Sequence, residues 1–275
     1  MSLILLTVGA MLAAATMPAS GPSHSAGWKL VWADEFDVPG APDPARWKYE
    51  VGYIRNRESQ YYTDGRQQNA RVEDGCLVIE ARKEHYPIPG KPDTFAEYTS
   101  ASLHTRGRAQ WLYGRIEVRA KLPTGRGTWP AIWMLSDSIS TVGWPACGEI
   151  DIMENVGYDP HKIHGTVHTR AYNHTKRTEK GGSITIDRPY DDFHVYAIEW
   201  DPQKIDFFVD DQKYFTFNND GQGNADTWPF DQPFFLKLNL AIGGMWGGRR
   251  GIDDSIFPQK FLIDYVRVYQ RTPQP

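Results

Sequence analysis

Polar and apolar residues alternate along most of this chain, which is typical of strands with one buried face. Residues 115–122 alternate cleanly between the two classes. Residues 234–242 repeat the pattern, with Phe234 and every second residue after it on one face and Lys237 and Asn239 on the other. Side chains on a strand point to opposite faces in turn, so these segments predict strands that face a core on one side.

Turn residues separate the alternating segments at short intervals. Hairpins are predicted at residues 73–75 and at residues 210–211, and residues 262–269 form a final strand. Long helical periodicity is absent, and roughly a dozen strands follow one another without an interior linker. The pattern predicts an all-β fold, a sandwich or jelly roll of two antiparallel sheets, formed by residues 26–275 as one domain.

The first residues differ from the rest of the chain. Residues 1–25 contain a short apolar run rich in Leu and Ala, followed by a Pro/Ser linker. This order predicts a secretory signal peptide and a secreted or periplasmic protein, although no basic residue precedes the apolar run. No second apolar stretch approaches the length of a membrane span, so no membrane contact is expected after the leader is removed.

Composition narrows the range of partners. The formal net charge is -4 and no basic stripe occurs, so nucleic acid and anionic membranes are not expected partners. The 10 Trp residues exceed what packing ordinarily needs, and the surplus suits a sugar-binding cleft. Cys76 and Cys147 are interpreted as free thiols, with a single disulfide as the alternative.

Three carboxylates crowd into residues 148–155. Glu149 and Asp151 share one strand face, whereas Glu154 has the opposite parity. If Met153 is the extra residue of a β-bulge, Glu154 returns to the face of the other two acids, and bulges are frequent beside active sites. The spacing therefore predicts a site at this strand.

Glycoside hydrolysis requires two such acids, one to attack or to activate water and one to protonate the leaving oxygen. A bulged strand with bending side chains would bring the carboxyl groups of Glu149 and Glu154 near the roughly 5 to 5.5 Å of retaining enzymes. Asp151 between them would raise the pKa of at least one neighbour. The alternatives are a solvated strand face, ion pairs with Lys or Arg, and a cation site.

The preceding strand supports the sugar interpretation. Within residues 128–135, Trp129, Ala131 and Trp133 share one face, and a small residue between two indoles makes a floor for pyranose rings. Paired tryptophans in a core are the alternative. His161, His164 and His168 superficially suggest a zinc spacing, but His161 has the opposite parity, so zinc is not expected.

Taken together, these motifs resemble those of family 16 glycoside hydrolases, and the laminarinase branch fits best. The resemblance rests on residues 127–135 and 143–157, and it extends through residues 34–36, 58–63, 113–115, 164–168 and 264–269. The extra Met153 matches laminarinase-like members, because lichenase-like members lack the added residue.

The resemblance implies a β-jelly roll with an open concave cleft that cuts internal β-1,3 bonds of glucans with retention of configuration. It implies that Glu149 is the nucleophile, Glu154 the general acid/base and Asp151 the residue that orients Glu149. No cofactor for catalysis and no partner besides the β-glucan substrate are implied, and a monomer is expected. Residues implied to bind sugar, or in part the acid cluster, are Asn56, Trp129, Trp133, His168 and Trp246.

The resemblance also implies a structural Ca²⁺ away from the cleft, held by Glu35, the carbonyl of Gly75 and Asp264. Two ordinary surface acids are the alternative interpretation of this set. Residues 243–251 lack the order of a phosphate-binding loop, so the glycines are interpreted as a cleft-edge turn that projects Trp246. Met245 departs from the family pattern, which usually has a polar residue there, and Cys147 stands where Ser is frequent.

Two classes of function fit these residues. The first is a secreted endo-β-1,3-glucanase, with β-1,3-1,4-glucanase, agarase and carrageenase activity as rivals within the enzyme class. The second is a noncatalytic glucan-binding module on the same fold. The presence of both Glu149 and Glu154 favours the enzyme.

Overall fold

A computed structural model of the chain describes residues 27–272. The signal peptide and linker predicted at residues 1–25 lie outside this range, and their export function stays a prediction. Within the described part, no helix is both long and apolar enough to cross a membrane.

Two β-sheets contain nearly all of the regular structure. The first sheet contains ten strands: β1 (Trp28–Asp34), β3 (Tyr61–Tyr62), β4 (Ala70–Glu73), β5 (Cys76–Pro87), β6 (Phe95–Ser100), β8 (Gly114–Lys121), β13 (His194–Trp200), β14 (Lys204–Val209), β15 (Gln212–Asn218) and β17 (Gln259–Arg271). The second sheet, called the cleft sheet below, contains seven: β2 (Lys48–Tyr49), β7 (Ser102–His104), β9 (Thr128–Ser136), β10 (Glu149–Glu154), β11 (Lys162–His168), β12 (Lys180–Thr185) and β16 (Phe234–Ile242). The helices are the short α1 (Ile139–Val142) and α2 (Gly244–Gly247) and a 3₁₀ turn at Asp254–Ile256.

Strands that are distant in sequence lie side by side in the cleft sheet. Its order is β12-β11-β10-β9-β16-β7-β2, and every pair is antiparallel. The first sheet runs β15-β14-β13-β8-β17-β5-β6-β3, with β1 beside β17 and β4 beside β5. Its one parallel pair among the described strands joins β3 and β6. The prediction of an all-β fold of two sheets is confirmed.

The hydrophobic core lies between the two sheets. The alternate residues of β16 that begin at Phe234 are buried in it, together with Ile132 and Met134 of β9. The opposite faces of these two strands carry Trp133, Lys237 and Asn239, as the parity predicts. All residues of β9 and β16 are nevertheless buried, and side chains from other segments, namely Glu50, Arg55 and Tyr62, contact the second face.

Both predicted hairpins are confirmed. Strands β4 and β5 are joined at Asp74 and Gly75, which have φ angles of 53° and 74°. Strands β14 and β15 are joined at Asp210, with a φ of 53°. Positive φ at these positions gives a turn whose twist matches that of the strands it joins.

The two cysteines do not form a disulfide. Cys147 is fully buried and Cys76 is half-buried, and both are free thiols, as predicted. Burial raises the pKa of the Cys147 thiol to about 12, with a smaller contribution from the nearby charge of Glu149. A thiol with so high a pKa is unreactive at neutral pH.

The carboxylates predicted to hold calcium both contact arginine. The guanidinium of Arg267 donates to both oxygens of Glu35, at 2.8 and 2.7 Å. Arg119 donates to Asp264 at 2.7 Å, and the third predicted ligand, Gly75, lies in the turn between β4 and β5. As arranged, these acids are neutralised by arginine and do not fit a calcium ion without rearrangement, so calcium binding stays a prediction.

Candidate active site

Strand β10 carries a bulge between Asp151 and Glu154. Against β9, Asp151 lies opposite Trp133, Met153 opposite Ile132 and Glu154 opposite Ala131, which leaves Ile152 without a partner. The predicted bulge is confirmed: the register with β9 leaves Ile152 over, and the register with β11 leaves both Ile152 and Met153 over. Both side chains of the bulge are buried in the core. The bulge thereby returns Glu154 to the face of Glu149 and Asp151.

The three acids line one cavity. Its volume is about 350 Å³, and it lies on the face of the cleft sheet that is turned away from the core. The cavity walls come from β9, β10 and β16 and from loops. Lining residues are Glu50, Ile54, Arg55, Asn56, Glu58, Trp129, Ala131, Trp133, Leu135, Ile139, Trp144, Glu149, Asp151, Glu154, His174, Lys237 and Asn239.

Burial raises the pKa of all three acids, and repulsion from Asp151 adds to the rise for both glutamates. Burial and, after it, the charge of Asp151 raise the pKa of Glu149 to about 7, although His168, Lys237 and Arg55 oppose the rise. Burial also raises the pKa of Asp151. The pKa of Glu154 lies well above its usual value because of burial and the charge of Asp151. Such an arrangement suits a cluster in which one acid is ionised while another keeps its proton.

Indole N–H groups hold the two glutamates. Trp144 Nε1 donates to Glu149 Oε2 at 3.1 Å, and Trp129 Nε1 donates to Glu154 Oε1 at 2.9 Å. His168 Nε2 approaches Asp151 Oδ2 to 3.3 Å and Glu149 Oε1 to 3.7 Å. Each glutamate therefore keeps one oxygen that its indole does not occupy.

Trp133 is held from several sides. Its Nε1 donates to Asn239 Oδ1 at 2.7 Å. The ammonium of Lys237 lies 4.1 Å from the centre of its ring, and the guanidinium carbon of Arg55 lies 5.0 Å away. Cations close to an aromatic face bind its π electrons, so Trp133 contacts two positive charges as well as the cavity.

The remaining residues predicted to bind sugar lie in different places. Asn56 lines the cavity, and its carbonyl accepts the amide of Met245 at 2.9 Å. Trp246 packs its ring edge-on against Trp129 at 5.5 Å, in the short helix α2, and does not line the cavity of the acids. His168 is buried behind Glu149 and Asp151, where it contacts the acids rather than the cavity.

The three histidines considered for zinc do not converge. His161 lies 3.9 Å from Asp187, and His164 packs against Trp246 at 5.1 Å between ring centres. His168 faces the acids. Among the described residues, these histidines therefore have separate neighbours.

Several cavity residues were not predicted as site residues from the sequence. They are Glu50, Arg55, Glu58, Trp144, His174, Lys237 and Asn239. Lys237 and Asn239 carried a signal, because their parity on β16 already placed them away from the core, and Glu58 lies within residues 58–63, over which the resemblance extends. Trp144 lies within the motif that carried the resemblance.

A buried network of polar groups connects one wall of the cavity to its floor. Asn239 Nδ2 donates to the hydroxyl of Tyr62 at 3.1 Å, and that hydroxyl donates to Glu58 Oε2 at 3.1 Å. Gln60 donates to the same oxygen at 2.8 Å. Burial raises the pKa of Glu58. The network fixes Asn239, and through it the indole of Trp133.

Two glutamates on one bulged strand, a third acid between them and indoles along the same cavity define the site of a glycoside hydrolase. The sequence matches the family Glycosyl hydrolases family 16 over residues 57–267. It is 55% identical to the Beta-glucanase of Rhodothermus marinus over 251 residues, which cover 88% of this chain and 85% of that protein. The chain belongs to glycosyl hydrolases family 16.

Solved structures agree with the fold. The laminarinase from Rhodothermus marinus superposes with a TM-score of 0.84 at 53% identity, covering 90% of this chain and 98% of that chain. A mutant of SCLam, a non-specific endo-beta-1,3(4)-glucanase co-crystallised with 1,3-beta-D-cellotriosyl-glucose, superposes with a TM-score of 0.84 at 50% identity, covering 93% and 97%. The two sheets therefore form the jelly roll of this family.

Proposed function

We propose that the protein is an endo-β-1,3-glucanase that acts with retention of configuration, with Glu149 as nucleophile and Glu154 as general acid/base. The observation that carries the proposal is the bulge of β10, which sets both glutamates on one cavity with different indole partners. The similarity to glucanases and laminarinases supports the substrate class.

The first chemical step uses the two glutamates together. The carboxylate of Glu149 attacks the anomeric carbon while Glu154 gives its proton to the departing glycosidic oxygen. Trp129 donates to Oε1 of Glu154, which leaves Oε2 to carry the proton. The bond that forms is the ester between Glu149 and the sugar, and the bond that breaks is the β-1,3 linkage.

The second step reverses the role of Glu154. As a carboxylate it takes a proton from water, the water oxygen attacks the anomeric carbon, and the ester to Glu149 breaks. Two inversions give net retention. Asp151 lies between the glutamates and holds Glu149 in position, with His168 close to both carboxylates.

Replacement of the glutamates tests the assignment. Glu149→Gln keeps the shape of the side chain but has no nucleophilic carboxylate, so release of reducing sugar from laminarin should fall by several orders of magnitude. Glu154→Ala should also lose most activity on laminarin, because the departing sugar oxygen is no longer protonated. With an aryl β-laminarioside, whose leaving group needs no protonation, external azide should restore turnover and give a β-glycosyl azide, because azide needs no general base. Near-native hydrolysis by Glu149→Gln, or an α-anomer as first product of the wild type, would refute the mechanism.

A glucan-binding assay separates this enzyme from a noncatalytic module. A binding module would retain laminarin on an affinity gel and release no oligosaccharide, whereas the enzyme should do both. Glu149→Gln serves as the matched control, because it should retain the polysaccharide and release nothing.

Mixed-linkage glucan is a second candidate substrate. The similarity to SCLam, a non-specific endo-beta-1,3(4)-glucanase, favours it. Product sizing by chromatography on laminarin, barley-type β-1,3-1,4-glucan, agarose and carrageenan distinguishes the candidates. Activity confined to the galactans would overturn the proposal.

We also propose that the protein is exported, that it is monomeric and that it binds calcium outside the cleft. The apolar leader supports export, and its removal is checked by N-terminal sequencing of the protein from the culture medium. Calcium would require Glu35 and Asp264 to leave Arg267 and Arg119, and no step of catalysis depends on it. A higher melting temperature with Ca²⁺ than with chelator would support the site.

A further inference from the structure

Lys237 is a buried lysine in the wall of the cavity. It projects from β16, directly opposite Trp133 of β9, which in turn lies opposite Asp151 of β10. Its side chain is only 5% exposed. Burying an ammonium group costs free energy unless partners compensate its charge, so its surroundings have to explain its presence.

One carboxylate is shared by two cations beside Trp133. Lys237 Nζ donates to Glu50 Oε1 at 2.7 Å, and Arg55 forms an ion pair with Glu50 Oε2. The hydroxyl of Ser102 also donates to Glu50 Oε2 at 2.7 Å. The three charged groups together carry one positive charge more than negative. That excess charge lies in the wall of a cavity whose other face holds the acids of β10.

The charged surroundings of Glu149 are unequal. Asp151 and Glu154 on its own strand are negative when ionised, and His168 faces it from β11. Arg55 and Lys237 supply positive charge from the opposite wall, where Glu50 and Glu58 are the acids, whereas His174 packs against Trp144 and His168 beside Glu149. Lys237 itself faces Glu50, Arg55 and His104 of β7. Glu154 contacts the indole of Trp129 and has no such cation beside it among the described ion pairs.

We propose that Lys237 is a positioning residue for the nucleophile, whose ammonium keeps Glu149 ionised as the pH falls. This inference rests on the proposed function, since it concerns the same carboxylate. Glu50 holds the ammonium in place over Trp133 and at the same time reduces its effect. The pair therefore sets how acidic the solution can become before the enzyme loses its nucleophile.

Charge-changing variants at Lys237 and Glu50 make opposite predictions. Neighbouring strands lie about 4.8 Å apart, so Lys237 is about 10 Å from β10. At that distance, with an effective dielectric constant about midway between those of a protein surface and water, one charge shifts a pKa by about half a pH unit. Lys237→Met should move the acid limb of the kcat/KM profile to higher pH by that amount. Glu50→Gln should move it to lower pH.

The experiment measures kcat/KM on laminarin against pH for the wild type and the variants. Lys237→Arg should keep the wild-type acid limb, because it keeps the positive charge. Lys260→Met, which removes an exposed lysine on the other sheet, should also leave the acid limb unmoved. Melting curves identify any variant that fails to fold. If Lys237→Met does not fold, Glu50→Gln decides alone.

An acid limb that stays in place in folded Glu50→Gln and Lys237→Met would overturn the proposal. Shifts of the same sign in both variants would also overturn it, because they would indicate a structural disturbance. Glu149→Gln separates the two levels of inference. If that variant hydrolyses laminarin, the nucleophile assignment is wrong. If it is inactive and the acid limbs of Lys237→Met and Glu50→Gln do not move, only the role of Lys237 is refuted.

Discussion

The hydrogen bond from Trp129 to Glu154 should control the alkaline side of the activity profile. Trp129 Nε1 donates to Glu154 Oε1 at 2.9 Å, and this bond opposes the rise of the pKa that burial causes. Trp129→Phe keeps an aromatic ring in the cavity wall but removes the donor. The ionised form of Glu154 then loses more stabilisation than the protonated form, so its pKa rises.

The size of the shift follows from the difference between two hydrogen bonds. A bond to a charged acceptor contributes about 1.5 to 3 kcal/mol and a bond to a neutral acceptor about 0.5 to 1.5 kcal/mol. The difference of about 1 to 1.5 kcal/mol corresponds to about one pH unit. Glu154 acts as an acid in its protonated form, so kcat/KM falls as pH rises through its pKa. Removing the donor should move the alkaline limb to higher pH by about one unit.

Initial rates of reducing-sugar release from laminarin across the acid and alkaline range measure both limbs. Trp133→Phe is the matched control, because Trp133 Nε1 donates to Asn239 and not to an acid. It should change KM without moving the alkaline limb. An unmoved or lowered limb in Trp129→Phe, or an equal shift in both variants, would refute the reasoning.

Three further predictions concern stability and reactivity. The pKa of Glu149 is raised from 4.5 to about 7 in the folded protein, so ionising this buried carboxyl destabilises the folded state as pH rises from the unfolded pKa to the folded one. Glu149→Gln should therefore stabilise the protein by up to about 3 kcal/mol above neutral pH and by nothing in acid, measured by denaturant unfolding. Gly148→Ala would place a Cβ 2.9 Å from Phe234 at a φ of +78°, whereas Gly143→Ala at +70° meets nothing within 4 Å; Gly148→Ala should lower the melting temperature more, and equal losses would contradict the clash. The native protein should show slow labelling of Cys147 by a thiol reagent, and unfolding should release it, since burial raises its pKa to about 12; fast labelling before unfolding would contradict this.

Periodicity predicted the parts of the site that belong to single strands. The parity of β9 placed Trp129 and Trp133 on the cavity face, and the parity of β16 did the same for Lys237. The spacing of the acids in β10 predicted the bulge. These features are local, because side-chain alternation along a strand depends only on neighbouring residues.

Such patterns do not predict which distant segments of the chain meet in the fold. Glu50 and Arg55 meet Lys237 across about two thirds of the chain, and the order of the cleft sheet brings them together. His168 was predicted to contact sugar or the acids, and only the register of β10 with β11 places it opposite Glu149. A sequence shows which residues share a strand face but not which loop will cover them.

The bulge in β10 fixes the number of residues that separate the two glutamates within one strand. Both belong to one short stretch of backbone, so no hinge or loop lies between them, and changes in the cleft rim leave their spacing untouched. Loss of one residue at Ile152 or Met153 would remove the bulge and restore regular pairing, and simple alternation would then keep Glu149, Asp151 and Glu154 on one face. Loops around the cavity are therefore free to diversify in substrate recognition, while a single-residue deletion in the strand would change the spacing of the two glutamates without moving either of them to the other face.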